Sequence, residues 1–474
     1  METKRKRMKI LVTVLAVVLV GLVAGGIWFR MTHSIIQEEV HQRDSSTLTV
    51  TSLTREDVRA ITAMPELREV YAYGCRDYDL LLELQAAKPG CAVRYTVPIG
   101  GTDYPQDTTE ITLRSLTAEE LELFRYLPDL TAIDAGNCAE YGLLQQLRDR
   151  YPELTVEYGI PIGGRVYPTT TIRVEVEGIT EKDVDLFRYL PRLKTVHMMD
   201  PELAPEKLLA LPEQLPDIRF TWEVEVEGIT VNNKNTEVDF SGISMTSPEA
   251  VGKALAYFPD VEMVLMNDCG IDNEVMAAFR EAHRAEYKVV WTVQCGELTV
   301  RTDEIYFMPL KHNIYYFFDE DTYNLRYCED MVCIDLGHMA ITDVSFVETM
   351  PHLKYLILAH TTVLDITPLS TCKELVFLEI DWTGIKDYSP LLGCTALEDL
   401  NLGLTYGDPE PISQMTWLKN LWWKGAGYKT RVLLEEKIPD TYLMLNPPYT
   451  VGMGWRKLPN YYAMRDVLGM EYMN

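Results

Sequence analysis

Between residues 331 and 424 the chain repeats a six-residue frame, L-x-x-L-x-[LI], with a fixed spacing. Its leading position falls at Met331, Leu353, Leu375, Leu397 and Leu418, spaced 22, 22, 22 and 21 residues apart. Its third apolar position falls at Leu336, Leu358, Ile380, Leu402 and Trp423. A coil of this length cannot bury its own apolar stripe, so the frame forces coils to stack and share one continuous core. A D-x-[ST] turn recurs at Asp343, Asp365 and Asp387, on the far side of each coil. Three residues before each leading position runs a second ladder of Cys328, Met350, Cys372, Cys394 and Met415. It accounts for three of the nine cysteines as small core residues rather than disulfide partners.

A longer period precedes the short one. Thr54, Thr117 and Thr180 lie 63 residues apart, as do Pro65, Pro128 and Pro191. Each Thr is followed three residues on by Asp57, Glu120 or Asp183, the spacing of a helix capping box. Leu121, Phe124 and Leu127 give a helical stripe, and the proline ends the helix before an alternating, strand-like run. A looser copy covers 247–269. The second half of each copy ends in a strand with an aromatic (Tyr95, Tyr158, Trp222, Trp291) and then a glycine (Gly100, Gly163, Gly228, Gly296). The glycine pair in PIGG looks at first like a phosphate loop. A phosphate loop should open a helix, and these glycines open another strand, so a chain-reversing turn is expected.

The segment 328–424 resembles the 22-residue leucine-rich repeats of bacterial, Gram-positive internalin-type surface proteins. The long repeats resemble the divergent helix-and-strand units that precede such arrays in exported proteins. The C-terminal GWRKLPNYYAMRDVLGMEYM resembles their closing segment, and together the resemblance covers about residues 47–474. It implies an extracellular scaffold that binds another protein, and it carries over no residue-level ligand site. The expected fold is therefore an α/β repeat solenoid. A basic stub and transmembrane anchor occupy 1–30, a spacer 31–46, and divergent 63-residue repeats 47–300. An aromatic, acidic connector or functional insertion follows at 301–327, then the 22-residue array at 328–424. Residues 425–474 form a C-terminal cap, in which Tyr449, Trp455, Tyr461, Tyr462 and Tyr472 would close the end of the array.

Charge separates the two ends. Residues 10–29 are uncharged and long enough to span a bilayer, after the basic start METKRKRMK. The alternative is a signal peptide that is cleaved and releases the body. The net charge is −27 overall and +5 over the first 30 residues, which leaves −32 on the body. A body so acidic repels nucleic acid. No L-P-x-T-G sorting signal is present, so wall attachment by that route is not expected.

In L-x-x-L-x-L the intervening residues point out of a parallel sheet toward its concave face. The rows contain Tyr355, Phe377 and Asp399; then Ile357, Glu379, Asn401 and Trp422; then Asp381 and Lys424, flanked by His338, His360 and Trp382. Aromatics beside acids suit a protein-binding face, and the same rows suit a carbohydrate or cell-wall ligand. The plainer alternative is that Ile357 and Phe377 only contact the neighbouring connector and the acids are solvated. No H-E-x-x-H or G-x-S-x-G motif is present, and no cofactor or enzyme activity is expected. A metal-dependent hydrolase built on His338 and His360 is the remaining enzymatic alternative.

Overall fold

The computed structural model describes residues 2–452 and 454–471. The chain divides into two compact units, one of residues 1–203 and 210–220, the other of residues 204–209 and 221–474.

The first unit opens with a helix over Glu2–Thr32. Its Ile10–Thr32 stretch, with a mean hydropathy of 2.8, is long and apolar enough to cross a membrane, and none of its apolar window is buried. The region expected to be a spacer is structured: His33–Ile36 pairs antiparallel with Glu39–Gln42. That hairpin is the first of a series. Ile99 and Thr102 close the next, and Ile162 and Arg165 the third. Both glycines of each PIGG turn have positive φ (57° and 77° at Gly100 and Gly101), the conformation a two-residue hairpin of matching twist requires. The glycine pairs are chain reversals.

Between hairpins, each long repeat supplies short parallel strands, such as Thr47–Thr49, Glu69–Ala72 and Ala92–Ile99, with helices crossing between them. The expected capping boxes form, and they do more than cap. Asp57 Oδ2 accepts from the Thr54 amide at 2.9 Å while its Oδ1 accepts from the turn amide of Gln37 at 2.8 Å. Glu120 does the same for Thr117 and Gly100, and Asp183 for Thr180 and Gly163. One carboxylate thus fastens a helix start to the preceding hairpin. Leu121 and Phe124 of the expected stripe lie on a 3₁₀ helix, Glu120–Tyr126, rather than an α-helix, and Leu127 caps its end. The stripe's three-residue spacing matches that helix's period.

The second unit contains two further hairpins, a three-stranded parallel sheet (Glu237–Asp239, Met263–Leu265, Lys288–Val290) and the short-repeat array. The array is a seven-stranded, all-parallel sheet. Its strands are β1 (Tyr306–Phe307), β2 (Cys333–Asp335), β3 (Tyr355–Ile357), β4 (Phe377–Glu379), β5 (Asp399–Asn401), β6 (Asn420–Trp423) and β7 (Tyr442–Leu445). It extends one coil beyond each expected boundary. The 301–327 segment is itself the first coil, because β1 pairs with β2. A last coil, with a helix over Tyr428–Lys437, follows residue 424.

The frame's leucines are buried on one side of this sheet, together with the Cys328, Cys372 and Cys394 ladder. All nine cysteines are free and buried. Burial pushes the thiols up, to about 11 for Cys372 and about 12 for Cys394. Each D-x-[ST] turn starts a 3₁₀ helix by accepting the amide two residues on, at 2.8 Å for Ser345, Thr367 and Ser389.

Candidate functional site

The sheet face opposite the leucine core carries the predicted rows in register. Tyr355, Phe377 and Asp399 are aligned across β3 to β5, and Ile357, Glu379, Asn401 and Trp422 across β3 to β6. This face is not open. Tyr355, Ile357, Phe377, Glu379, Asp381, Asp399, Asn401 and Trp422 are all buried, Glu379 being only 3% exposed. Their cover is the chain's own C-terminal segment, described over residues 446–452 and 454–471, which lies across the sheet instead of closing the end of the array.

Trp455 is the centre of that cover. Its ring lies 4.9 Å from Phe377 and 5.3 Å from Trp422, centroid to centroid. Its indole Nε1 donates to Glu379 Oε2 at 2.7 Å. Asn401 Nδ2 donates to the Thr450 carbonyl at 3.1 Å, and Trp422 Nε1 to the Gly452 carbonyl at 3.2 Å. Gly403 permits this approach, since a Cβ there would stand 2.7 Å from Thr450 Cγ2. The C-terminal helix, Pro459–Val467, then lays Tyr461, Met464 and Leu468 onto the Tyr355 and Phe377 side. At the far end Lys311 Nζ, on the first coil, donates to the Leu468 carbonyl at 2.6 Å. The cover therefore runs from the last coil back to the first. Tyr449 is exposed, and Tyr472 lies outside the described residues.

The electrostatics beneath the cover are unusual. Glu379 is pushed up to about 8, by burial first and by the Asp381 charge second. Burial also raises Asp335, Asp381 and Asp399. Asp399 Oδ1 accepts from Asn420 Nδ2 at 2.7 Å, while its Oδ2, with the Asn460 side chain nearby, makes no well-formed hydrogen bond among the described residues. Asp381 has the Thr450 and Glu379 side chains beside it, yet neither of its oxygens makes a well-formed hydrogen bond.

The rim of the face stays open. His338, His360 and Trp382 follow successive strands in the left-handed conformation (φ 67°, 58° and 56°). Their amides donate to the next coil's carbonyls, which aims the side chains outward in file. The rings stack at 4.5 Å (His338 on His360) and 5.2 Å (His360 on Trp382). Burial, and then the His338 charge, lowers His360. Trp382 is 54% exposed. Lys424, half-buried at the same rim, donates its Nζ to the Pro448 carbonyl. Among the described residues no group of three or more His, Cys, Asp and Glu is gathered as a metal ion requires.

Of the ten predicted site residues, eight are thus brought together under the cover, and Trp382 and Lys424 lie at its edge. The partners that sequence reading missed are Thr450, Gly452 and Trp455, together with the use made of Tyr461. A signal for them existed: Tyr461, Met464 and Leu468 form an i, i+3, i+7 stripe that needs an apolar face to lie on.

No family model matches the sequence, and no curated protein matches it. Among solved structures, internalin C2 of Listeria monocytogenes is 16% identical, with 53% of this chain and 76% of that chain covered and a TM-score of 0.21. A second internalin of that organism is 15% identical, covering 64% and 81%, with a TM-score of 0.25. A leucine-rich-repeat protein of Leptospira interrogans is 13% identical, covering 89% and 92%, with a TM-score of 0.24. The leucine-rich-repeat character of the array rests on its own geometry: parallel coils 22 residues apart, each with one short strand and a buried L-x-x-L-x-L core, and with a 3₁₀ turn opposite in the coils of β2, β3 and β4.

Proposed function

We propose that this chain is a membrane-anchored leucine-rich-repeat scaffold that binds another protein at the cell surface. The observation that carries this reading is the exposed ring stack of His338, His360 and Trp382, set on a rigid parallel sheet. Exposed, pre-ordered aromatics bind at little entropic cost, which is what an interaction hot spot needs. The anchor is residues 10–29, with the acidic body outside the cell. The exposed indole also suits a sugar ring, so a glycan ligand is the second reading.

A photo-crosslinking amino acid placed at position 382 of the full chain, in cells, tests the proposal. One defined protein adduct at 382, absent when the same amino acid sits at exposed Glu436, is the expected result. Equal adducts at both positions, or none at 382, would sink the protein-binding reading at this rim. Retention of the full chain on cell-wall polysaccharide, lost with Trp382→Ala, would establish the glycan reading in its place.

A further inference from the structure

The cover over the sheet is built unlike a core. On the leucine side every frame position is apolar, and the coils lock by stacking. On the covered side the buried residues include Glu379, Asp381, Asp399 and Asn401, and three carboxylate oxygens among them make no well-formed hydrogen bond among the described residues. Apolar residues at those positions would seal a permanent interface more tightly, because a buried charge costs more than it returns unless it is fully paired. Aromatic anchors mixed with polar groups are the composition of an interface that opens.

The way the segment is held agrees. Among the described residues it forms no strand against the sheet; after Asn446, whose amide donates to the Trp423 carbonyl, side chains grip its backbone and its tryptophan one at a time. Asn446 (φ 57°) and Gly454 (φ 101°) mark its changes of direction, and Pro447 and Pro448 offer no amide for a ladder. Charge is complementary as well. Arg456, next to the anchoring tryptophan, lies within electrostatic range of Asp335 and Glu379, with no ion pair to either among the described residues.

We propose that this face is a peptide-binding groove, that residues 446–471 are its resident ligand, and that a partner protein displaces them with a segment of the same chemistry. That segment is aromatic and basic: a tryptophan whose N–H meets Glu379, an adjacent arginine or lysine facing the carboxylates, and then a helical turn carrying a tyrosine. The inference goes beyond the rim site, because Trp382 is reachable with the cover in place. A failure of one therefore leaves the other standing.

Two measurements on the full chain in detergent test it. The first is hydrogen exchange of the unaltered protein. The amides of 455–468 should exchange at least tenfold faster than those of β4 and β5, by local opening. Exchange of both at the same slow rate would make the segment an integral part of the core and overturn the proposal. The second uses a labelled synthetic peptide of sequence 446–471. It should bind the double variant Trp455→Ala, Tyr461→Ala at least tenfold more tightly than the parent, and Glu379→Ala in that background should abolish binding. Fast exchange without peptide binding to the variant would overturn the groove. Dimerisation of the parent that the peptide reverses would name a second copy as the occupant and overturn the partner.

Discussion

At the scale of single residues, the most economical device is the capping acid that also holds a hairpin. Asp57 is drawn upward by burial, but the Gln37 amide and the Thr54 hydroxyl and amide outweigh that and hold it below the usual carboxylate range. An acid lowered in the folded state contributes stability above its unfolded value, and that stability is lost as pH falls through the folded one. The same holds for Asp183, where the Gly163 and Thr180 groups outweigh burial. Asp57→Ala should therefore cost about 1–2 kcal/mol near neutral pH, for a lost cap and an orphaned turn amide. The cost should shrink below about pH 4, close to the ordinary aspartate value of 3.8 from which Asp57 is lowered. Urea denaturation at several pH values checks both. The helix cap is legible from Thr54 and Asp57 alone. Their link to Gln37 is not, because it joins residues 20 apart in sequence through a backbone amide.

At the scale of elements, the covered sheet has a pH dependence of opposite sign. Glu379 is raised from 4.5 to about 8 in the folded protein, so the folded state holds the proton more tightly. Its penalty is absent below about 4.5, grows as pH rises, and is complete above about 8, at roughly 1.4 kcal/mol per pH unit. The groups facing it are Asp335, Asp381, Trp455 and Arg456, with His360 beyond Asp381. Docking of residues 446–471 should accordingly weaken between pH 5 and 8, as read by Trp455 fluorescence or hydrogen exchange. Glu379→Gln keeps an acceptor for the indole and should flatten the profile. An unchanged slope would assign the titration to another carboxylate. The rows of this sheet were readable from the 22-residue frame, down to which residues stand side by side. What stands over them was not, because periodicity records contacts between equivalent positions and the covering segment is no repeat. The same limit hid the first coil, whose β1 is separated from β2 by an irregular, 27-residue step from Tyr306 to Cys333.

At the scale of the whole molecule, the cysteines and the N-terminal helix make separate predictions. Every thiol is buried, and Cys328 is pushed up further than Cys394 by burial and the neighbouring Cys295. Since the thiolate is the reactive form, a thiol reagent should label none of the nine within minutes in native buffer and all of them in denaturant. Rapid native labelling would show coils opening far more often than this core allows. Removing residues 1–32 should shift the chain from the membrane fraction to the aqueous phase, with the strand signal kept and only the helix signal of Glu2–Thr32 lost. The removed helix buries none of its apolar window.

The contact between Lys311 and the Leu468 carbonyl has one more consequence. A stack of coils bound only to its neighbours can fray, giving up its terminal coil first and then the next. Here one continuous segment leaves the last coil, grips the middle strands and is fastened to the first, so while it is docked the last coil cannot peel away alone. The array should then melt in a single step, as a closed ring does and an open zipper does not.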